Sequence, residues 1–328
     1  MKRMLSRLLL FLCFFAVAGC GSAPAKPRQE AGRTAIVLPY PKTLAKAGIT
    51  GCITLPKKPE RVVSLTNTPV LTLEALGIRQ VGVPDTKIIK WPDSLKDVKR
   101  FQTGMRSNID IESVITQRPD LVIVGYHAKD TYGRILEREK IPVYYVDAGP
   151  TVSYDSVKEM TLLFVDAFGK DSEAGKKIKQ RFTDLETKLA AERKRNEGKK
   201  VMVLQAMPRR FYLQNKNGTV GSMLTLLGYT NVAPGTGGSM VPMNQEEALS
   251  YHPDLVVCVS AMAGADEQRT VMENEFREHG DYWHHFKPIV DNKVLYLPKW
   301  YAISGGLDEI NQLEQLIDRL HRLEGGNA

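Results

Sequence analysis

The sequence predicts an α/β protein of two similar lobes, each built on a parallel sheet and joined by a single long helix. Three observations carry this reading. A strand–helix–strand run occupies residues 61–83, a motif recurs at an offset of 134 residues, and a strand-free helical stretch over 153–197 separates the two copies.

The elements follow in order. Arg61-Val62-Val63-Ser64-Leu65 is a short β-branched run of the kind that forms a buried strand. Thr66-Asn67-Thr68-Pro69 then offers a helix cap with proline at the first helical position. The helix is expected to run to Leu76 and stop at Gly77, and Gln80-Val81-Gly82-Val83 forms the next strand. Strand, helix and strand with short joints is the unit of a parallel sheet.

The repeat is the most informative feature. Ile109-Asp110-Ile111-Glu112, six residues, then Pro119-Asp120-Leu121-Val122-Ile123 matches Met243-Asn244-Gln245-Glu246, six residues, then Pro253-Asp254-Leu255-Val256-Val257. Each copy reads as a short helix beginning near the Glu, a turn at Pro-Asp and a buried strand. A strand–helix unit precedes each: residues 61–76 in the first half, and Val201–Gln205 with Val220–Leu227 in the second. Between the copies, Leu162, Val165, Ile178, Phe182, Leu185 and Leu189 recur at helical spacing. They predict one helix over about Asp155–Phe168, bridging the lobes as a stiff strut, and a second over about Ser172–Asn196.

The N-terminus has a different character. Lys2, Arg3 and Arg7 precede an apolar run, Leu8 to Ala18, that is too short for a membrane span of about 20 residues and has the length of a signal-peptide core. It ends in Val17-Ala18-Gly19-Cys20, which resembles the bacterial lipobox and marks Cys20 for lipidation. Two or more acyl chains anchor stably where one does not. Residues 21–58, rich in Ala, Pro and Lys, read as a tether and lead-in. Cys52 and Cys258 are read as free thiols, Cys258 as a small core hydrophobe. The resulting division is signal peptide 1–19, lipid anchor and tether 20–58, N-terminal lobe 59–152, inter-lobe helix and following helix 153–197, and C-terminal lobe 198–328. Loss of Lys2, Arg3 and Arg7 lowers the formal charge from +8 to +5, and the Lys188–Lys200 cluster falls on a helix that also carries Glu186 and Glu192. That is a solvated face and does not point to nucleic acid.

The anchored leader, the Arg-Val-Val-Ser-Leu opening, the two Glu-x6-Pro-Asp-Leu-Val copies and the central helix together resemble the helical-backbone class of ABC importer substrate-binding lipoproteins. That class takes in vitamin B12, ferric-siderophore and heme binders. The resemblance spans roughly residues 59–320. It implies two Rossmann-like lobes with a ligand cleft between them, an extracytoplasmic monomer held at the outer or periplasmic face of the cell membrane, and permease and ATPase subunits as partners. It implies no catalytic role; heme or another iron or cobalt chelate is the transported ligand. Asp281-Tyr282-Trp283-His284-His285-Phe286 and Met207-Pro208 carry a nearer likeness to Gram-positive heme-uptake lipoproteins. Where those place an axial Met and an axial His, this chain has Ser107 and Met262. By the same resemblance Glu112 and Glu246 dock onto arginine pockets of the permease.

Ligands of open α/β sheets bind beyond the carboxyl ends of the strands. The candidates are therefore Thr66, Asn67 and Thr68; Met105 and Arg106; Tyr126 and His127; Met207, Arg209 and Arg210; Met262; and Trp300 and Tyr301. Met105, His127 and Met262 could ligate heme iron, since thioether and imidazole are both accepted axial ligands. Arginines at 106, 209 and 210 could clamp carboxylates, and Trp300 and Tyr301 could stack on a macrocycle. His284 and His285 read as members of an aromatic core. Enzymatic signatures are missing: the chain has no Gly-x-Ser-x-Gly elbow, and Gly235-Thr236-Gly237-Gly238 lacks the Lys-Ser/Thr of a phosphate loop.

Overall fold

The computed structural model describes residues 35–103, 108–149, 152–207, 210–235, 238–260, 265–303 and 305–325. Two parallel-rich sheets share one apolar core.

In the N-terminal lobe, β-branched runs buried on both faces form the strands of a parallel sheet. After a leading hairpin of β1 (Ile36–Pro39) and β2 (Cys52–Leu55), the lobe contains β3 (Val62–Ser64), α1 (Val70–Ala75), β4 (Gln80–Pro84), β5 (Lys99–Phe101), α2 (Ile111–Thr116), β6 (Leu121–Gly125), α3 (Arg134–Arg138) and β7 (Val143–Val146). The order is β5-β4-β3-β6-β7, all parallel. Side chains alternate between faces: Val62, Leu121, Ile123, Tyr144 and Val146 join the shared core, while Val63, Val122, Val124 and Tyr145 face α2 and α3.

Two helices follow, α4 (Tyr154–Phe168) and α5 (Glu173–Asn196). Ser153 and Ser156 form a reciprocal capping box at the start of α4, and Ser172 Oγ accepts from the Gly175 amide at the start of α5. Phe164, Val165, Phe182, Leu185 and Leu189 are buried between the lobes. Removing one such aromatic costs about 3–5 kcal/mol, so α4 is a packed strut.

The C-terminal lobe contains β8 (Lys200–Met207), β9 (Arg210–Gln214), α6 (Thr219–Leu226), β10 (Thr230–Asn231), β11 (Met240–Pro242), α7 (Gln245–Ala248), β12 (Leu255–Val259), α8 (Ala265–Glu278), α9 (Gly280–Trp283), α10 (Lys287–Val290), β13 (Val294–Tyr296) and α11 (Glu309–Glu324). Its order is β11-β9-β8-β12-β13, with β10 beside the start of β8. β8, β12, β13 and β10 run parallel, whereas β9 folds back antiparallel on β8 and carries β11. Both lobes are built on parallel sheets, as the sequence predicts, and the second adds the antiparallel β9 and β11 at one edge.

Three expectations are corrected. The tether reading ends at Ile36, because β1 and β2 form a hairpin seated on α4. Leu38 and Leu55 are buried, Glu159 of α4 accepts from the amides of Lys42 (2.8 Å) and Thr43 (3.2 Å), and Tyr40 stacks on Tyr144 at 5.2 Å. The lead-in's few apolar residues, spread through polar sequence, find their partners only in the strut. Pro69 caps α1 from outside the helix and no side chain caps it, since the Thr68 hydroxyl donates instead to Asp147 O. His284 and His285 stack on each other at the surface, with Trp283 and Phe286 taking the buried positions on either side.

Candidate functional site

The helices after β3 and β6 lie on opposite faces of the first sheet: α1 packs on the shared core and α3 on the other side. The chain therefore diverges at the carboxyl ends of these neighbouring strands and leaves a crevice there, the place where ligands bind in open α/β sheets. In the second lobe the corresponding position lies between β8 and β12, where β8 first turns back into β9; α6, which follows β9, lies on the shared core and α8 on the far face.

At the first crevice, Thr66 and Asn67 are half-buried on the loop leaving β3. Asn67 Oδ1 is buried and has no hydrogen-bond partner among the described residues. An unpaired buried amide oxygen is costly enough to call for an explanation. Across from it, Tyr126 is half-buried and His127 exposed, their rings 4.6 Å apart. A methyl built on Gly125 would stand 3.3 Å from His127 Nε2, and one on Gly149 3.8 Å. The exposed imidazole thus lies over the ends of β6 and β7, with Nε2 toward the backbone of Gly125 and Gly149.

Sequence reasoning missed Asp147, the residue that follows β7. It is half-buried, and burial pushes its carboxyl above the usual carboxylate range, against the pull of Ser156, the Ala148 amide, Lys46 and His127. Its carbonyl holds the Thr68 hydroxyl at 3.3 Å, so it ties the exits of β3 and β7 together. An acid directly after a β-branched and aromatic strand run was the available signal.

Thr66, Asn67, Thr68, Tyr126 and His127 are brought to one crevice. Thr68 is 3% exposed and acts there through its contacts. In the second lobe, Met207 and Arg210 pair across the turn between β8 and β9. Trp300 is 39% exposed. Tyr301 is corrected: it is fully buried and its hydroxyl donates to Gln312 O at 3.0 Å, so it belongs to the core and has no free face for stacking. Met105, Arg106, Arg209, Met262 and Cys20 lie outside the described residues. Glu112 and Glu246 are both exposed in the first turns of α2 and α7, whose caps are Asp110 and Asn244.

Each lobe thus presents strand exits of the kind at which open α/β sheets bind ligands, and a packed strut joins the two. The sequence profile of the periplasmic binding protein family matches residues 62–301. The chain belongs to that family. Its two lobes and long helix are the fold of substrate-binding proteins of ABC importers. Among its relatives is the uncharacterized ABC transporter substrate-binding lipoprotein YvrC of Bacillus subtilis, 24% identical over 95% of both chains. The petrobactin-binding protein YclQ of the same organism is 24% identical over 79% of this chain and 81% of its own. Among solved structures, S. aureus IsdE complexed with heme superposes with a TM-score of 0.63 at 22% identity, covering 80% of this chain and 99% of that one.

Proposed function

We propose that this family member is the lipid-anchored, extracytoplasmic capture subunit of an importer for an iron chelate, held between the β3/β6 and β8/β12 crevices. The observation that carries the reading is the convergence of Asn67, Tyr126 and His127 at the first crevice, with an unpaired amide oxygen and an exposed imidazole. Heme is the chelate placed first. His127 supplies an axial nitrogen from one lobe, and Met262 or Met105 supplies a thioether; a His partner holds the potential lower than two thioethers would. Trp300 gives a flat exposed surface for the macrocycle. A second reading, a ferric siderophore, is favoured by the relative named for petrobactin. Arg106, Arg209 and Arg210 then take its acidic groups.

The test is titration of the purified full-length chain with hemin and, separately, with a ferric tris-catecholate. Hemin should produce a Soret band that saturates at one equivalent, with His127→Ala weakening retention about tenfold, the scale of one lost coordinate bond or strong contact. Quenching of Trp300 fluorescence by the catecholate with no Soret change would move the assignment to a siderophore. Turnover of either compound would end the capture reading altogether.

Glu112 and Glu246 are proposed as the permease contacts and Cys20 as the lipidated residue. Alanine at either Glu should lower uptake while leaving ligand affinity unchanged. Cys20→Ser should move the protein out of the membrane fraction with binding intact.

A further inference from the structure

A backbone contact joins the two lobes at the foot of the candidate crevice. The turn Gly306–Asp308, which leads into α11, packs on α1 and α4. Gly306 has φ +66, and a Cβ built there would stand 1.9 Å from Thr68 O and 2.8 Å from its carbonyl carbon. Thr68 sits on the loop that presents Thr66 and Asn67, fixed from behind by Asp147. The C-terminal lobe therefore rests backbone to backbone on the rim of the N-terminal one.

The same turn of chain holds the other rim. Gln312, in the first turns of α11 and 3% exposed, donates Nε2 to Trp300 O at 3.4 Å and accepts the Tyr301 hydroxyl on its carbonyl. Leu307, between the two contacts, is buried in the shared core. Protein interiors are close-packed and cannot absorb an overlap of that size without moving an element.

We propose that Gly306 is a positioning residue for ligand capture. Its lack of a side chain sets the spacing between the rim at Thr66–Thr68 and the rim at Trp300. The spacing follows from the contact alone; its effect on ligand rests on the cleft reading above.

The experiment uses spin labels on cysteines placed at exposed positions 134 and 247, in full-length protein with Cys13, Cys20 and Cys52 changed to serine so that the buried Cys258 is the only other thiol. Gly306→Ala should shift the inter-lobe distance distribution and weaken ligand retention at least about tenfold. Gly77→Ala is the control: it has the same φ of +66 with nothing within 4 Å of the added methyl, so it carries the backbone strain without the overlap. It should lower Tm yet leave distance and affinity as in wild type. A wild-type distance in Gly306→Ala, or equal changes in both variants, overturns the proposal. If Gly306→Ala does not fold, Leu307→Ala loosens the docking without overlap and should broaden the distribution; an unchanged narrow one overturns it. A shifted distance in a protein that binds neither hemin nor ferric tris-catecholate supports the spacing role and rejects the iron-chelate reading.

Discussion

The two copies of the repeat make the same structure at the amino-terminal edge of their sheets and different ones at the carboxyl edge. Arg118 and His252, 134 residues apart, both take left-handed φ, +49° and +46°. The next acid does the same work twice: Asp120 accepts from the amides of Glu60 (2.8 Å) and Arg61 (2.9 Å), Asp254 from that of Lys200 (2.8 Å). In return Arg61 O and Lys200 O accept from the amides of Asp120 and Asp254. Each Pro-Asp is thus a clamp that pins the start of a central strand, β3 or β8, to its neighbour. At the other edge the likeness ends. β3 exits into a loop and α1, whereas β8 turns straight back into β9. The repeat encodes scaffold, and the ligand rims are where the halves diverged.

Breaking the clamps is the strongest test of that equivalence. Asp120→Ala should cost about 2 kcal/mol and Asp254→Ala about 1 kcal/mol, since charge-assisted bonds to backbone amides are lost in the ratio of two to one. Urea midpoints measure both; a larger loss at Asp254 would show that the copies carry load differently from their geometry.

A smaller effect sharpens the comparison. Left-handed φ strains a residue with a Cβ, and glycine relieves it at some cost in unfolded-chain entropy. Arg118→Gly and His252→Gly should each stabilise by about 0.5 kcal/mol, and by the same amount within error. Thermal melts that moved in opposite directions would mean that the matching φ values reflect different constraints.

Much of this was legible because it rests on local chemistry. β-branched runs bounded by turn residues gave β3, β6, β8 and β12, apolar spacing gave α4 and α5, and the offset of the repeat gave the pairing of lobes. Other features were set by partners distant in sequence. Tyr301 looked like a stacking surface because nothing nearby in sequence marks its hydroxyl's partner, Gln312 O on α11. The β1–β2 hairpin was read as tether because its apolar residues are few and its stabilising contacts, with Glu159 and Tyr144, lie more than 100 residues away.

The sequence by itself determined the central strands β3, β6, β8 and β12, the duplicated lobes, the strut and the strand exits where a ligand would lie, because periodicity, caps and turns act over a few residues. Only the tertiary structure decided which of those exits converge. It brought Asn67 and His127 to one crevice, withdrew Tyr301 into the core, added Asp147 behind Thr68, and laid Gly306 against the Thr68 carbonyl. Those outcomes depend on close packing between segments far apart in the chain, which no local pattern specifies.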